Sequence, residues 1–163
     1  QSDALCLIFC SQYRVVSGVS AEHLKLIVKR LRIDFEYIVM DCPAALSPGF
    51  VNAASAADTA LLVVTPDHVS VRNSDAVDRR LQNLGVTRRF MAINMYDSEL
   101  IRKGELPDIA CIARSLPLPL AGTIPYDRQI HFGNNKGCPA VRGENPALAT
   151  AFTEIARKIA NNI

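Results

Sequence analysis

Two hydrophobic patterns alternate along the chain. Short continuous apolar runs, typical of strands buried on both faces, are separated by segments in which apolar residues recur with helical period. The runs predict strands over 5–9, 37–40, 59–65, 90–94 and 120–124, and the segments between predict helices over 20–32, 50–57, 69–84, 106–116 and 146–159. Strands that alternate with helices predict an α/β fold, with a mostly parallel sheet in a three-layer arrangement flanked by helices. The Gly-, Asn- and Pro-rich stretch 133–145 predicts a loop.

Composition narrows the class of protein. The 163 residues suit a single domain over 1–163, and a hydrophobic share of 49% excludes a disordered chain. No apolar run reaches the ~18 residues that would span a bilayer. The formal charge of +2 is too small to indicate nucleic-acid binding. The five cysteines (Cys6, Cys10, Cys42, Cys111 and Cys138) are scattered without a C-x-x-C pair, which favours a reducing cytosol.

Short polar residues follow four of the predicted strands. Asp41, Asp67, Asn94 and Asp127 each stand at or just beyond a strand end. In open α/β sheets ligands bind outside the carboxyl ends of the strands, so these residues are candidates for one nucleotide site. A carboxylate such as Asp41 could orient a water on Mg²⁺ beside a triphosphate. The alternative is that these side chains only cap the turns that follow, and the pattern alone leaves both open.

Several motifs, in order, resemble one known family. Residues 35–44 (FEYIVMDCPA) resemble the Walker B segment of the MinD/ParA family of P-loop ATPases. The match continues through 49–58, through 65–75, which resembles the family's TxPExxSVRDSD stretch, through IPYD at 124–127, and through the N-x-G-x-P-V-like loop at 134–141. The resemblance implies a partial P-loop NTPase fold of the SIMIBI type, corresponding to the C-terminal two-thirds of the family's nucleotide-binding domain.

The resemblance also implies roles for particular residues. Asp41 would hold Mg²⁺ through water, and Asn94 would hydrogen-bond the adenine edge of ATP or ADP. The backbone of Pro125, Tyr126 and Asp127 would form the other side of the base pocket. The turn that contains Cys42, Pro43, Ala44 and Ala45 would be the switch region that senses the γ-phosphate.

The function implied by the resemblance is that of an ATPase-family regulator of cell division that helps to place the septum. Such a protein is bacterial and cytoplasmic, with peripheral membrane binding in a full-length parent, and it engages a division inhibitor and an activator. Two alternatives stay open: a ParA-type partition protein, and a non-catalytic interaction module derived from such an ATPase.

The sequence departs from the family pattern in ways that bear on activity. No G-x-x-x-x-G-K-[ST] loop occurs in it, so the catalytic set is incomplete. We expect the chain alone to bind ATP and Mg²⁺ weakly if at all, and not to hydrolyse ATP. Ala45 replaces a glycine, and Tyr126 replaces an acidic residue. We also expect no membrane-anchoring helix in this chain, no sequence-specific nucleic-acid binding, and association into a homodimer or other oligomer through an open strand edge.

Overall fold

The computed structural model describes residues 19–43, 46–135, 137, 139 and 145–161. Within them, helices and strands follow one another along the chain. The elements are α1 (Ala21–Leu31), α2 (Pro48–Ala54), β1 (Thr59–Val64), α3 (His68–Asn83), β2 (Arg88–Tyr96), α4 (Ser98–Arg102), α5 (Ile109–Ser115), β3 (Leu120–Pro125), α6 (Arg128–Asn135) and α7 (Pro146–Ala160). The predicted strand 5–9 lies outside the described residues.

The three strands form one parallel sheet in the order β1-β2-β3. β1 and β2 pair in continuous register from Thr59 opposite Arg88 to Val64 opposite Ile93. Parallel neighbours need a crossover connection, and α3 supplies it between β1 and β2, while α4 and α5 supply it between β2 and β3. The carboxyl ends of all three strands therefore lie along the same rim.

Alternate side chains of the strands build a separate core on each face of the sheet. On one face, Leu62, Val64, Met91 and Ile93 pack with buried residues of α2, α3 and α5. On the other, Phe90, Ala92, Ala121 and Ile124 pack against Leu148 and Ile155 of α7. Helices thus flank both faces of the sheet, which confirms the predicted α/β architecture. On the second face α7 covers β2 and β3, while Leu61 and Val63 of β1 stay exposed.

Capping residues set the helix boundaries close to those predicted. The Ser20 hydroxyl accepts the His23 N–H at 3.3 Å and begins α1. Gly85 follows α3 with a φ of 83°, a conformation that glycine adopts without strain. Asn145 caps α7, whose first residue is Pro146. None of the described helices is both long and apolar enough to cross a bilayer.

The predicted strand 37–40 is wrong. This segment has neither helical nor strand structure, and no strand in the described residues pairs with it. An apolar run becomes a strand only when a neighbouring strand completes its backbone hydrogen bonds. The segment 37–40 has no such neighbour among the described residues, and the outer edge of β1 is unpaired there as well. Val39, at the centre of the run, is consequently 92% exposed.

Two helices were not predicted. The short helix α4 begins after Asp97, which accepts the N–H groups of Glu99 and Leu100. The helix α6 extends to Asn135, so the predicted loop 133–145 is wrong for its first three residues. Most of the rest of that loop lies outside the described residues.

Candidate functional site at the ends of β2 and β3

The carboxyl ends of β2 and β3 meet at one point of the rim. Tyr96 lies opposite Pro125, and the Tyr126 N–H donates to the Tyr96 carbonyl oxygen at 3.1 Å. This pairing brings Asn94 into the same neighbourhood as the turn 125–127. Four residues that the sequence analysis assigned to a base pocket are therefore neighbours in the structure.

The end of β2 has an irregular backbone. The register with β3 shifts between Ile93 and Tyr96, and Met95 takes a φ of 55° in the left-handed region. A non-glycine residue pays about 1 kcal/mol for that conformation, and such strain concentrates at functional sites. The Asn94 Oδ1 accepts the Met95 N–H at 2.9 Å. This bond fixes the orientation of the amide and leaves its NH₂ group as the donor that Asn94 can offer to a ligand.

A cavity of about 520 Å³ lies at this rim. It is lined by Asn94, Met95, Pro125, Tyr126, Asp127, Arg128, Ile130 and Phe132. Small-molecule sites typically occupy about 300–1,000 Å³ and combine apolar and aromatic walls with a few polar groups. The lining has this character, since one amide, one carboxylate and one guanidinium stand among aromatic and aliphatic side chains.

Asp127 carries a fixed negative charge at the cavity. Its Oδ1 accepts the Gln129 N–H at 2.7 Å, and its Oδ2 accepts from the Asn145 Nδ2 at 2.6 Å. These two hydrogen bonds, the backbone one first, hold the pKa of Asp127 below its ordinary value. The group is ionised at neutral pH, and its contacts orient it at the start of α6.

Asp67, at the end of β1, serves a local role. Its Oδ1 accepts the Ser70 N–H at 2.8 Å, and its Oδ2 accepts from the Thr65 hydroxyl. The bond from Thr65 first, and then that from Ser70, lower the pKa of Asp67. Asp67 is absent from the residues that line the cavity. For this residue the capping alternative is correct.

The proposed magnesium ligand, Asp41, and the two described switch residues, Cys42 and Pro43, belong to no strand of the sheet. Asp41, Cys42 and Pro43 are exposed in the irregular segment after 37–40, and Ala44 and Ala45 lie outside the described residues. Desolvation raises the pKa of the Cys42 thiol, and the charge of Asp41 adds to the effect. Within the described ranges no three His, Cys, Asp or Glu side chains form a group that could hold a metal ion. Among the residues that the structure describes, Asp41 is accordingly not part of a preformed cluster of metal-ligating side chains.

Several residues that line the cavity, or contact its lining, were not among the predicted site residues. Arg128, Ile130 and Phe132 of α6 line the cavity, and their signal was their position directly after the IPYD motif. Asn145 lies 18 residues from Asp127 in the sequence and donates a hydrogen bond to it, a contact that no local pattern reveals.

A buried ion pair away from the cavity was also missed. The Arg89 Nε donates to Asp78 Oδ1 at 2.6 Å, and Asp78 is only 6% exposed. No local sequence pattern reveals this pair, since it joins α3 to the start of β2.

Comparisons with known proteins find relatives that match most of the chain. The chain is 35% identical over 162 residues to the septum site-determining protein MinD of Helicobacter pylori, a match that covers 95% of the chain and 60% of that protein. It is 32% identical over 156 residues to MinD of Synechocystis sp., covering 95% of the chain and 59% of that protein. The chain thus spans about 60% of the length of these relatives. No protein-family profile matches it.

Solved structures share the fold. The MinD cell division protein of Aquifex aeolicus superposes with a TM-score of 0.82 at 28% identity, over 88% of this chain and 61% of that one. A chain of a MinC:MinD cell division protein complex from the same organism gives the same TM-score and identity, over 88% of this chain and 60% of that one. MinD of Pyrococcus horikoshii in complex with Mg-ADP gives 0.75 at 25% identity, over 86% and 56%. The chain is therefore a homologue of the MinD septum site-determining proteins over 95% of its length, and it shares the fold of MinD structures.

Proposed function

We propose that this chain is part of a MinD-type ATPase that helps to place the division septum, and that its cavity holds the adenine base of ATP or ADP. The observation that carries the proposal is the convergence of Asn94 with the turn 125–127 on one cavity. Support also comes from a structurally similar MinD, that of Pyrococcus horikoshii, which was solved in complex with Mg-ADP. The Asn94 NH₂ group would donate to a ring nitrogen, while backbone groups of the turn and the aromatic side chains would contact the rest of the base.

The phosphate end of such a site is not encoded in these 163 residues. ATP hydrolysis depends on positioning and charge neutralisation around the γ-phosphate, which a Gly-rich loop with its Lys and Ser/Thr supplies when magnesium is bound. Without that loop the base pocket contributes only part of the binding free energy. We expect the chain alone to bind ADP with a dissociation constant on the order of millimolar, and not to hydrolyse ATP.

Substitution of the amide tests the base pocket. Asn94→Ala removes the donor, and we expect it to weaken ADP binding by the chain about five- to tenfold, the size of one hydrogen bond to a buried ligand group. Asn83→Ala, at the exposed end of α3, is the matched control and should bind like the unmodified chain. Affinities come from NMR titration with ADP. Equal affinity of the Asn94→Ala chain would argue against the assignment.

One observation favours the second candidate, a non-catalytic interaction module. Asp41 stands in a segment outside the sheet and is exposed, whereas a magnesium-binding carboxylate needs a rigid support. An ATPase assay on the longest natural protein that contains this chain separates the two. Magnesium-dependent phosphate release that Asp41→Ala abolishes supports the ATPase, and its absence supports the interaction module.

The partners belong to the same proposal. A MinC:MinD complex is among the structural neighbours, so a division inhibitor of the MinC type is the partner class we propose, with an activating protein beside it. Co-sedimentation with a MinC-type protein tests the first of these.

A further inference from the structure

Asn145 joins two elements through the two ends of one amide. Its Oδ1 accepts the Ala147 N–H at 2.9 Å, which caps α7. Its Nδ2 donates to Asp127 Oδ2 at 2.6 Å, in the turn that follows β3. One side chain thus fixes the start of the last helix to a wall of the cavity.

The helix that carries Asn145 is itself fixed on the sheet. Leu148 and Ile155 of α7 are buried against β3 and its neighbour β2. The approach at Gly122 is close enough that a Cβ there would lie 2.7 Å from Ile155 Cγ1. The start of α7 is therefore held at a defined place relative to β3, and the amide of Asn145 extends that constraint to Asp127.

The bond from Asn145 acts on the cavity lining through Asp127. Asp127 lies between Tyr126 and Arg128, and all three line the cavity. Its other carboxylate oxygen accepts the Gln129 N–H, so the same group also anchors the first turn of α6. Without the bond from Asn145, the turn would lose its hydrogen bond to the start of α7, and only the apolar packing of Ile130 with the α7 cluster would connect α6 to that helix.

We infer that Asn145 is a positioning residue, which holds the turn 125–127 in the conformation that contacts the bound base. The inference rests on the proposed function, because it assigns Asn145 a role in the affinity of that same site. Asn145 itself is absent from the cavity lining and acts through Asp127.

The alternative role, a helix cap only, can be separated from this one by choice of variant. Aspartate caps helices as well as asparagine does, but its carboxylate cannot donate to Asp127 and repels it instead. Asn145→Asp therefore keeps the cap and breaks the link. Combining Asn145→Asp with Asp127→Asn exchanges donor and acceptor, which restores the hydrogen bond in reverse while the residue at 127 still accepts the Gln129 N–H.

The experiment is an NMR titration of the 163-residue chain with ADP. We expect Asn145→Asp to weaken binding about tenfold and the exchanged pair to recover most of that loss. Asp108→Ala, which removes the cap of α5 outside the cavity, is the control for lost helix stability and should leave the affinity unchanged.

Each outcome decides something. If the unmodified chain does not bind ADP, the proposed function fails and the inference falls with it. If the unmodified chain binds and Asn145→Asp binds equally well, the inference alone is overturned. Failure of the exchanged pair to recover affinity overturns it as well.

Discussion

At the residue scale, carboxylates at strand ends serve first as helix caps. Asp67, Asp97 and Asp127 each accept backbone N–H groups of the helix that follows. Helix N-termini leave donors unsatisfied, and a short acidic side chain is the local solution. Only Asp127 of these three also lines the cavity, so the position of an Asp after a strand did not by itself identify a ligand site.

Asp67 gives a prediction for stability and its pH dependence. Asp67→Ala should lower the free energy of unfolding by about 1 kcal/mol at pH 7, through loss of the α3 cap. The folded-state pKa of Asp67 lies below its unfolded value of about 3.9, so its contribution is present above that value and is lost as the pH falls through the folded pKa. Urea unfolding should show the difference shrinking below about pH 4. Asp67→Asn keeps a cap that does not titrate, and an Asp67→Ala effect that is the same at pH 7 and pH 3 would contradict the account.

Two ion pairs on α3 should differ in their contribution to stability. Asp78 and Arg89 are mostly buried, with Gln82 as a further donor to Asp78, whereas Asp75 and Arg79 form an exposed i,i+4 pair. Asp78→Ala leaves the largely buried Arg89 guanidinium without its carboxylate, with only backbone carbonyl oxygens such as that of Val86 as acceptors, and should cost about 3 kcal/mol. Asp75→Ala should cost less than about 0.5 kcal/mol. Urea unfolding of both variants measures the losses in free energy of unfolding. Equal losses would show that burial does not make the Asp78–Arg89 pair contribute more to stability than the exposed pair.

At the element scale, local sequence signals predicted the long helices and three of the strands, whereas the pairing of strands could not be predicted from them. The sequence predicted α3 and α7 to within one residue at each end, because caps, Gly85 and Pro146 are local features. It also predicted β1, β2 and β3. It failed at 37–40, since an apolar run reports burial propensity, while a strand requires a neighbour that the run does not specify. The cavity was predicted only in part. Its residues at the strand ends follow from the local pattern, whereas the bond from Asn145 to Asp127 joins residues that are distant in the sequence.

The outer edge of β1 gives a prediction for association. Val63 is 56% exposed on a strand that has no outer partner among the described residues, and open apolar edges invite pairing with another chain. We expect the chain to self-associate at high concentration in sedimentation velocity. Val63→Lys places a charge on this strand and should shift the distribution to monomer, whereas Val69→Lys, at an exposed position on α3, should not. A monomeric profile of the unmodified chain would contradict the prediction.

At the scale of the whole molecule, two cores on one parallel sheet support a rim where two strand ends open into a cavity. The fold matches MinD structures over 88% of the chain, and the chain covers about 60% of those proteins. Under the proposed function, the described part contributes the base end of a nucleotide site, and the phosphate end requires a Gly-rich loop that does not occur in these 163 residues.

The most direct test of this account maps where ADP binds. Amide chemical shifts of the 163-residue chain are followed during titration with ADP, with CDP as the control for the base. The account predicts that the largest shifts with ADP fall on Asn94, Met95, Tyr126 and Asp127, with small shifts in α1 and weaker effects of CDP throughout. Shifts that cluster away from the ends of β2 and β3, or no shifts at millimolar ADP, would contradict it.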